Sequence, residues 1–269
     1  MKIKLITIIS STLIFLHIMN AQETLDISYM ECTYRLTLMK DTITKTKTVY
    51  DEDMRLLIGN KYSKFYSYMT FLGDSARNSV SYSTLMANNG QLFSEFIIKY
   101  PQGERYEVYK NYTDNSIMFK DRLPAKVWYK ETMPKQNWKI LNETKEFAGY
   151  KCQKATCNFR GRNYVAWFTR EITINEGPWK FNGLPGLIIK VYDTQEHYDF
   201  ELYLVKKTAK AIMFDKANYK EVNLKDYIPM SKNRLKDPYA GQNVTFTREN
   251  GDVFTPNSKQ YDVMERDVK

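Results

Sequence analysis

Thirteen residues, Glu176-Gly177-Pro178-Trp179-Lys180-Phe181-Asn182-Gly183-Leu184-Pro185-Gly186-Leu187-Ile188, constrain this chain more than any other stretch. Three glycines and two prolines surround a tryptophan, and the segment runs straight into an apolar strand. Glycine opens backbone angles closed to other residues, while proline fixes φ and removes a donor, so the path is tightly specified. Trp179 and Phe181 supply large surfaces to bury. The expectation is a buried structural loop between two strands, framed by Gly177, Pro178, Trp179, Gly183, Leu184, Pro185, Gly186, Leu187 and Ile188. A ligand-contacting loop is the alternative.

The segments around it alternate as strands do. In Met30 to Leu38 the residues Met30, Cys32, Tyr34, Leu36 and Leu38 share one face, and Glu31, Thr33, Arg35 and Thr37 share the other. This pattern predicts a half-buried antiparallel strand. Met54 to Ile58 reads as a second strand, and Tyr62 to Tyr68 as an edge or amphipathic one. Gly73 to Gln91 reads as a loop with at most a short helix. Phe93 to Tyr100 and Tyr106 to Tyr112 read as a hairpin about Pro101-Gln102-Gly103. Gly161 turns Phe159 into Tyr164 to Thr169, a strand apolar on both faces and therefore central. Leu187 to Tyr192 pairs with Tyr198 to Val205, whose Tyr198, Phe200, Leu202 and Leu204 are expected on one face. Val222 to Leu235 is the best helical stretch, with Pro229 predicting a kink or two pieces. A short strand or hairpin is expected around Val244 to Phe254, followed by a loose end.

The motif and its flanks carry a resemblance. Gly183 to Ile188 spells GLPGLI. Trp138 to Leu141, Gly149 to Ala155, Phe159-Arg160-Gly161-Arg162, Ala166 to Thr169 and Gly177 to Lys180 follow in the order of that family's core. The chain resembles the GLPGLI family of secreted proteins from Bacteroidetes over about Trp138 to Leu204. The resemblance implies export but no activity and no catalytic residues. It suggests outer-membrane transporters of the TonB-dependent type as neighbours. Asp41-Thr42-Ile43 and Asp74-Ser75-Ala76 resemble O-glycan acceptor triplets of Bacteroidetes.

The N-terminal residues read as targeting. Lys2 and Lys4 precede an apolar run from Leu5 to Met19, and Ala21 offers a small residue for cleavage, so 1–21 is expected to be a secretory signal peptide. The run is short for a membrane span, and no cysteine follows it closely, so neither a transmembrane anchor nor a lipoprotein is expected. The remaining 22–269 is expected to be one domain, with a core over 25–205 and a lysine-rich part over 206–269. Losing Lys2 and Lys4 lowers the formal charge from +9 to +7. An exported basic protein is drawn to anionic lipid, lipopolysaccharide or acidic glycan, and nucleic acid is not expected there. The expected location is the periplasm or the outer membrane's surface.

Candidate chemistry is sparse. His197 stands with Asp193, Glu196 and Asp199, a set that a hydrolase or a one-metal site would use. Glu196, His197 and Asp199 do not share a strand face, however, and a soluble surface turn is the plainer reading. One of only two histidines lies in the signal stretch, so no histidine-rich metal centre is expected. Nucleophile-elbow, zinc-helix, phosphate-loop and dinucleotide motifs are missing from the sequence, and neither catalysis nor a cofactor is expected. Arg160 and Arg162, with Arg170 and Lys180, form a set suited to an anion, or else a solvated basic turn. Trp167 and Trp179 either stack on a ligand or fill the core. Cys32 and Cys152 are expected in the core, paired or merely buried, while Cys157 lies on the opposite face from Cys152.

The expectation is a mainly β protein built on one large curved antiparallel sheet with a few helices. It would be a non-catalytic envelope protein binding a ligand or partner in the sheet's concavity or on its edge. A modifying enzyme using His197 and a purely structural protein are the alternatives.

Overall fold

The computed structural model describes residues 23–39, 49–86, 91–100, 103–122, 125–236, 246–247, 253–254 and 264–265. The expected signal segment, the Asp41 triplet and most of the chain after Lys236 lie outside them. Strands come first: β1 (Glu23–Met39), β2 (Val49–Gly59) and β3 (Tyr62–Ser67). Helices α1 (Tyr68–Asn78), α2 (Tyr82–Leu85) and α3 (Gln91–Lys99) follow. Then come β4 (Glu107–Asn111), β5 (Ser116–Arg122), β6 (Lys126–Thr132), β7 (Lys139–Phe147), β8 (Tyr150–Phe159), β9 (Arg162–Thr169), β10 (Leu187–Asp193) and β11 (Tyr198–Lys207). The chain continues through β12 (Ala211–Phe214), β13 (Lys220–Glu221), helix α4 (Leu224–Lys236), and β14 (Phe246–Thr247) with β15 (Val253–Phe254).

The protein is mainly β. One 13-stranded sheet runs β13-β6-β5-β4-β3-β2-β1-β11-β10-β9-β8-β7, with β12 added beside β1. All its pairings are antiparallel except β13 with β6, so the sheet is mixed and not purely antiparallel as expected. It does not close, yet it wraps: Arg160, in the β8–β9 turn of one wing, donates to Glu131 on β6 of the other.

Alternation places Cys32, Tyr34, Leu36 and Leu38 inward on β1, as expected. The opposite face differs from expectation. Glu31 and Thr33, on that face, are buried too. There Leu57, Tyr66, Tyr109, Trp128, Ile212 and Phe214 form a second, smaller core. Glu31 survives burial through Arg55, Lys210 at 2.6 Å and Lys206 at 3.3 Å. Glu107 is held likewise: burial would raise its carboxyl, but Lys64 and Lys120 overcome that and hold it at about 2.

Several expectations are corrected. Strand β3 is interior, between β2 and β4, and not an edge. Residues 93–99 belong to helix α3, and β4 pairs with β3 and β5 instead. The local signal was helical: Gln91 bonds Glu95 at 3.0 Å, and the Phe96 and Tyr100 rings meet at 4.9 Å, both four residues apart. Gly73 to Asn78 lie in α1, whose first turn is capped by the Ser67 hydroxyl accepting from Thr70 N–H. The Asp74-Ser75-Ala76 triplet therefore sits on a helix. Helix α4 runs through Pro229 as one element, with Tyr227 packed on Phe119 and Tyr129 of the sheet. All three cysteines are buried and unpaired, and burial pushes the Cys32 and Cys157 thiols up to about 12.

The helices between β3 and β4 are tied down by a buried carboxylate. Glu52 of β2 accepts the Ser67 hydroxyl at 2.5 Å and the Glu104 N–H at 2.8 Å. Burial, and next the Glu104 carboxylate, push its pKa up to about 7. Between the ordinary value of 4.5 and about 7 the folded chain holds a proton that the unfolded chain has lost. Stability therefore falls as pH rises through that window, by roughly 3 kcal/mol at most. Glu52→Gln should flatten the dependence of melting temperature on pH between about 5 and about 8. An unchanged slope would contradict this account.

Candidate functional site

The Gly/Pro-rich stretch fills the concave face. Between β9 and β10 the chain enters the bowl, and Trp179, Phe181 and Leu184 are buried there. Phe181 meets Tyr164 at 4.7 Å and Trp179 at 5.3 Å, and Phe159 meets Trp179 at 5.7 Å. The backbone is unusual: Trp179 has φ 49°, and Gly186 has φ 149°. A Cβ on Gly186 would stand 1.9 Å from the Thr169 carbonyl oxygen, so only glycine passes there. The expected buried structural loop is what forms. Helix α4 packs on the same side, with Tyr227 buried against Phe119 and Tyr129.

Two buried lysines hold the loop. Lys110 of β4 donates to Glu176 Oε2 at 2.7 Å, to the Gly177 carbonyl at 2.9 Å and to the Phe181 carbonyl at 2.7 Å. Glu176 also accepts from Ser63 at 3.1 Å and Tyr112 at 2.8 Å. Burial lowers the Lys110 pKa, and Glu176 opposes the shift. Lys180 points the other way, from the loop to Tyr129 at 2.7 Å, Glu131 at 2.6 Å and Glu265.

Of the basic residues singled out from sequence, Arg160, Arg162 and Lys180 meet carboxylates, while Arg170 is exposed and lies 5.6 Å over the Phe168 ring. Arg160 and Lys180 share Glu131. Arg162 pairs with Asp193 at 2.8 Å in the interior. Arg160, Arg162 and Lys180 are thus tied to internal carboxylates. The His197 cluster is also dispersed. Asp193 caps the turn by accepting the His197 and Tyr198 N–H groups at 2.8 Å, and Arg162 donates to His197 Nδ1 at 3.1 Å. No group of three His, Cys, Asp or Glu side chains suited to a metal occurs among the described residues.

The fourth member, Asp199, leads to an open feature on the outer face. A groove of about 420 Å³ is lined by Arg35, Thr37, Asp199, Glu201 and Tyr203. It exists because β11 carries one extra residue: Thr33 pairs with Leu204 but Tyr34 pairs with Leu202. The bulge at Tyr203 turns both Tyr203 and Leu204 outward, which corrects the expected inward Leu204. Arg35 lies 5.4 Å over the Tyr203 ring, which is 47% exposed. Lys190 pairs with Asp199 at 2.9 Å and with Glu201 at 2.5 Å. Asp199 Oδ1 is buried without a hydrogen-bond partner, and burial raises this carboxyl against the pull of Lys190. In register, Asp53, Arg35, Glu201, Lys190, Trp167 and Lys154 form one lateral row across six strands. Trp167 is only 8% exposed, beneath Phe147 at 5.3 Å with Lys154 at 5.8 Å.

Residues 158–190 match a family described as a protein of unknown function (Porph_ging). That match covers the β8–β9 hairpin's end and the motif loop, and GLPGLI membership remains a resemblance. No curated protein matches the chain. Two solved structures of PNGF-II, in P21 and C2 space groups, share its fold with TM-scores of 0.52 and 0.51 at 16% identity. Each alignment covers 83% of this chain and 39% of the other, so this chain spans well under half of their length.

Lys110→Met should cost roughly 3–5 kcal/mol in urea unfolding, because it strands a buried carboxylate. Lys130→Met, which breaks an exposed pair with Asp114, should cost under about 1 kcal/mol. Equal losses would refute the role given to Lys110.

Proposed function

We propose that this chain is a non-catalytic binding module of the cell envelope, exported by its N-terminal segment, whose outer groove takes a saccharide. The observation that carries this reading is the bulge at Tyr203. It presents a half-open aromatic face beside Arg35, over the acceptors Asp199 and Glu201. An aromatic platform takes the C–H face of a sugar ring, and flanking carboxylates and a guanidinium take its hydroxyls. Charges in the groove nearly cancel, with Arg35 and Lys190 set against Asp199 and Glu201, which favours a neutral, hydroxyl-rich ligand over an ion.

The interior supports the same placement, since the chain itself fills it. The non-catalytic part rests on two observations: His197 Nδ1 is taken by Arg162, and the thiols are buried with raised pKa. Envelope location rests on the Leu5–Met19 reading, and the TonB-dependent transporter remains the neighbour that the family resemblance suggests.

A panel of soluble neutral oligosaccharides, titrated by calorimetry, tests the reading. At least one should bind, and Tyr203→Ala should weaken it on the order of tenfold with little change in melting temperature. Binding that survives both Tyr203→Ala and Asp199→Asn, or no binding by any member, would remove the saccharide assignment.

A further inference from the structure

Lys110 and Lys180 hold the same loop, but their carboxylate partners are held very differently. Glu176, the partner of Lys110, has both oxygens engaged. Its Oε1 accepts from Ser63 and Tyr112, and its Oε2 accepts from Lys110 and from the Gly177 N–H at 3.1 Å. Glu265, the partner of Lys180, is only 5% exposed, yet one oxygen alone is engaged. Its Oε1 accepts from Lys180 and, at 3.4 Å, from the Tyr129 hydroxyl, while its Oε2 is buried without a hydrogen-bond partner. Buried polar atoms are normally satisfied, so an acceptor left open marks an imperfect fit. Glu176 is also part of the loop that Lys110 holds, whereas Glu265 reaches Lys180 from 85 residues away.

The cationic side of the contact is complete by comparison. The Lys180 ammonium is fully buried and lies 5.0 Å from the Phe119 ring, 5.0 Å from the Tyr129 ring and 5.6 Å from the Trp179 ring. It donates to Tyr129 and to Glu131, and Glu131 is shared with Arg160. Without Glu265, two buried cations would face one carboxylate. We infer that Lys180, in its ring of Phe119, Tyr129 and Trp179, is a binding seat for a carboxylate, which the chain fills with Glu265 as a replaceable internal ligand. An uncompensated buried cation is costly, so the seat demands an anion. The surrounding rings keep water away and strengthen the charged hydrogen bond. Enclosure restricts the seat to a small carboxylate. Met264, buried beside Glu265, anchors the backbone there, so Glu265→Ala should leave a hole of one CH2–COO⁻ group, the size of acetate. The seat lies inside the bowl, apart from the saccharide groove on the outer face.

Thermal melting of the full chain in sodium acetate and in sodium chloride of equal concentration tests the seat. In chloride, Glu265→Ala should lower the melting temperature by on the order of 5 °C. Acetate should recover a large part of that loss, with an effect that saturates as binding to one site does. The wild-type chain and Glu265→Gln, whose side chains fill the seat, should melt alike in the two salts. If Glu265→Ala does not fold in chloride, its refolding yield in acetate against chloride reads the same difference. Acetate that helps every chain equally acts elsewhere on the molecule and overturns the proposal. So does a Glu265→Ala chain that melts with the wild type, or one that acetate helps no more than chloride.

Discussion

The structure turns on the ammonium group of Lys110. A buried charge is tolerated only when it is paired and every donor is satisfied. Here each of the three N–H bonds has a recipient, and two recipients are carbonyls of the Gly/Pro-rich loop. The ion pair therefore dictates where that loop runs as well as neutralising charge. Glu176, at the loop's start, is gripped in turn by Ser63 of β3 and by Tyr112 just beyond β4. One wing of the sheet thus holds the loop that grows out of the other. Desolvation offsets much of the Coulomb gain in such a pair, so its contribution is chiefly the selection of one packing arrangement.

Lys180 repeats the device with the polarity reversed, reaching from the loop to acceptors on β6 and at Glu265. Glu131 receives both Lys180 and Arg160, so the two wings meet through side chains where a barrel would use backbone pairing. The sheet stays open as a result, and β7 remains an edge. That edge carries Lys139, Glu143, Lys145 and Glu146, mostly exposed, which discourages addition of another strand. Strand addition at β7 is thereby disfavoured.

Where burial followed local alternation, the sequence was legible. The inward face of β1, the two-sided apolar β9 and the buried Trp179 and Phe181 all followed from residue type and period. Legibility ended where a distant segment decided the environment. Glu31 and Thr33 look like solvent residues, yet both are buried, and the partners of Glu31, namely Arg55, Lys206 and Lys210, are remote in sequence. Arg160, Arg162 and Lys180 read as an anion site because their partners lie on strands remote in sequence. The β11 bulge left no local mark, since Tyr198 to Val205 alternates cleanly and the slip shows only against β1. Residues 93–99 were misread because their apolar spacing suits a strand or a helix at short length.

Two exposed features of the structure share a physical origin. Both the bulge at Tyr203 and the helices between β3 and β4 are departures from the regular sheet. Regular strands here are committed on both faces: inward to the loop and the aromatic core, outward to cross-strand charge rows or the second core. Their side chains are already satisfied and have little to offer a partner. The Gly/Pro-rich motif is committed more completely still, because its backbone carbonyls, its lysine and its tryptophan all end in internal contacts. Only its tip, at Gly183 and Pro185, is exposed. The bulge at Tyr203 is where the ladder slips, and there an aromatic side chain reaches solvent beside Arg35.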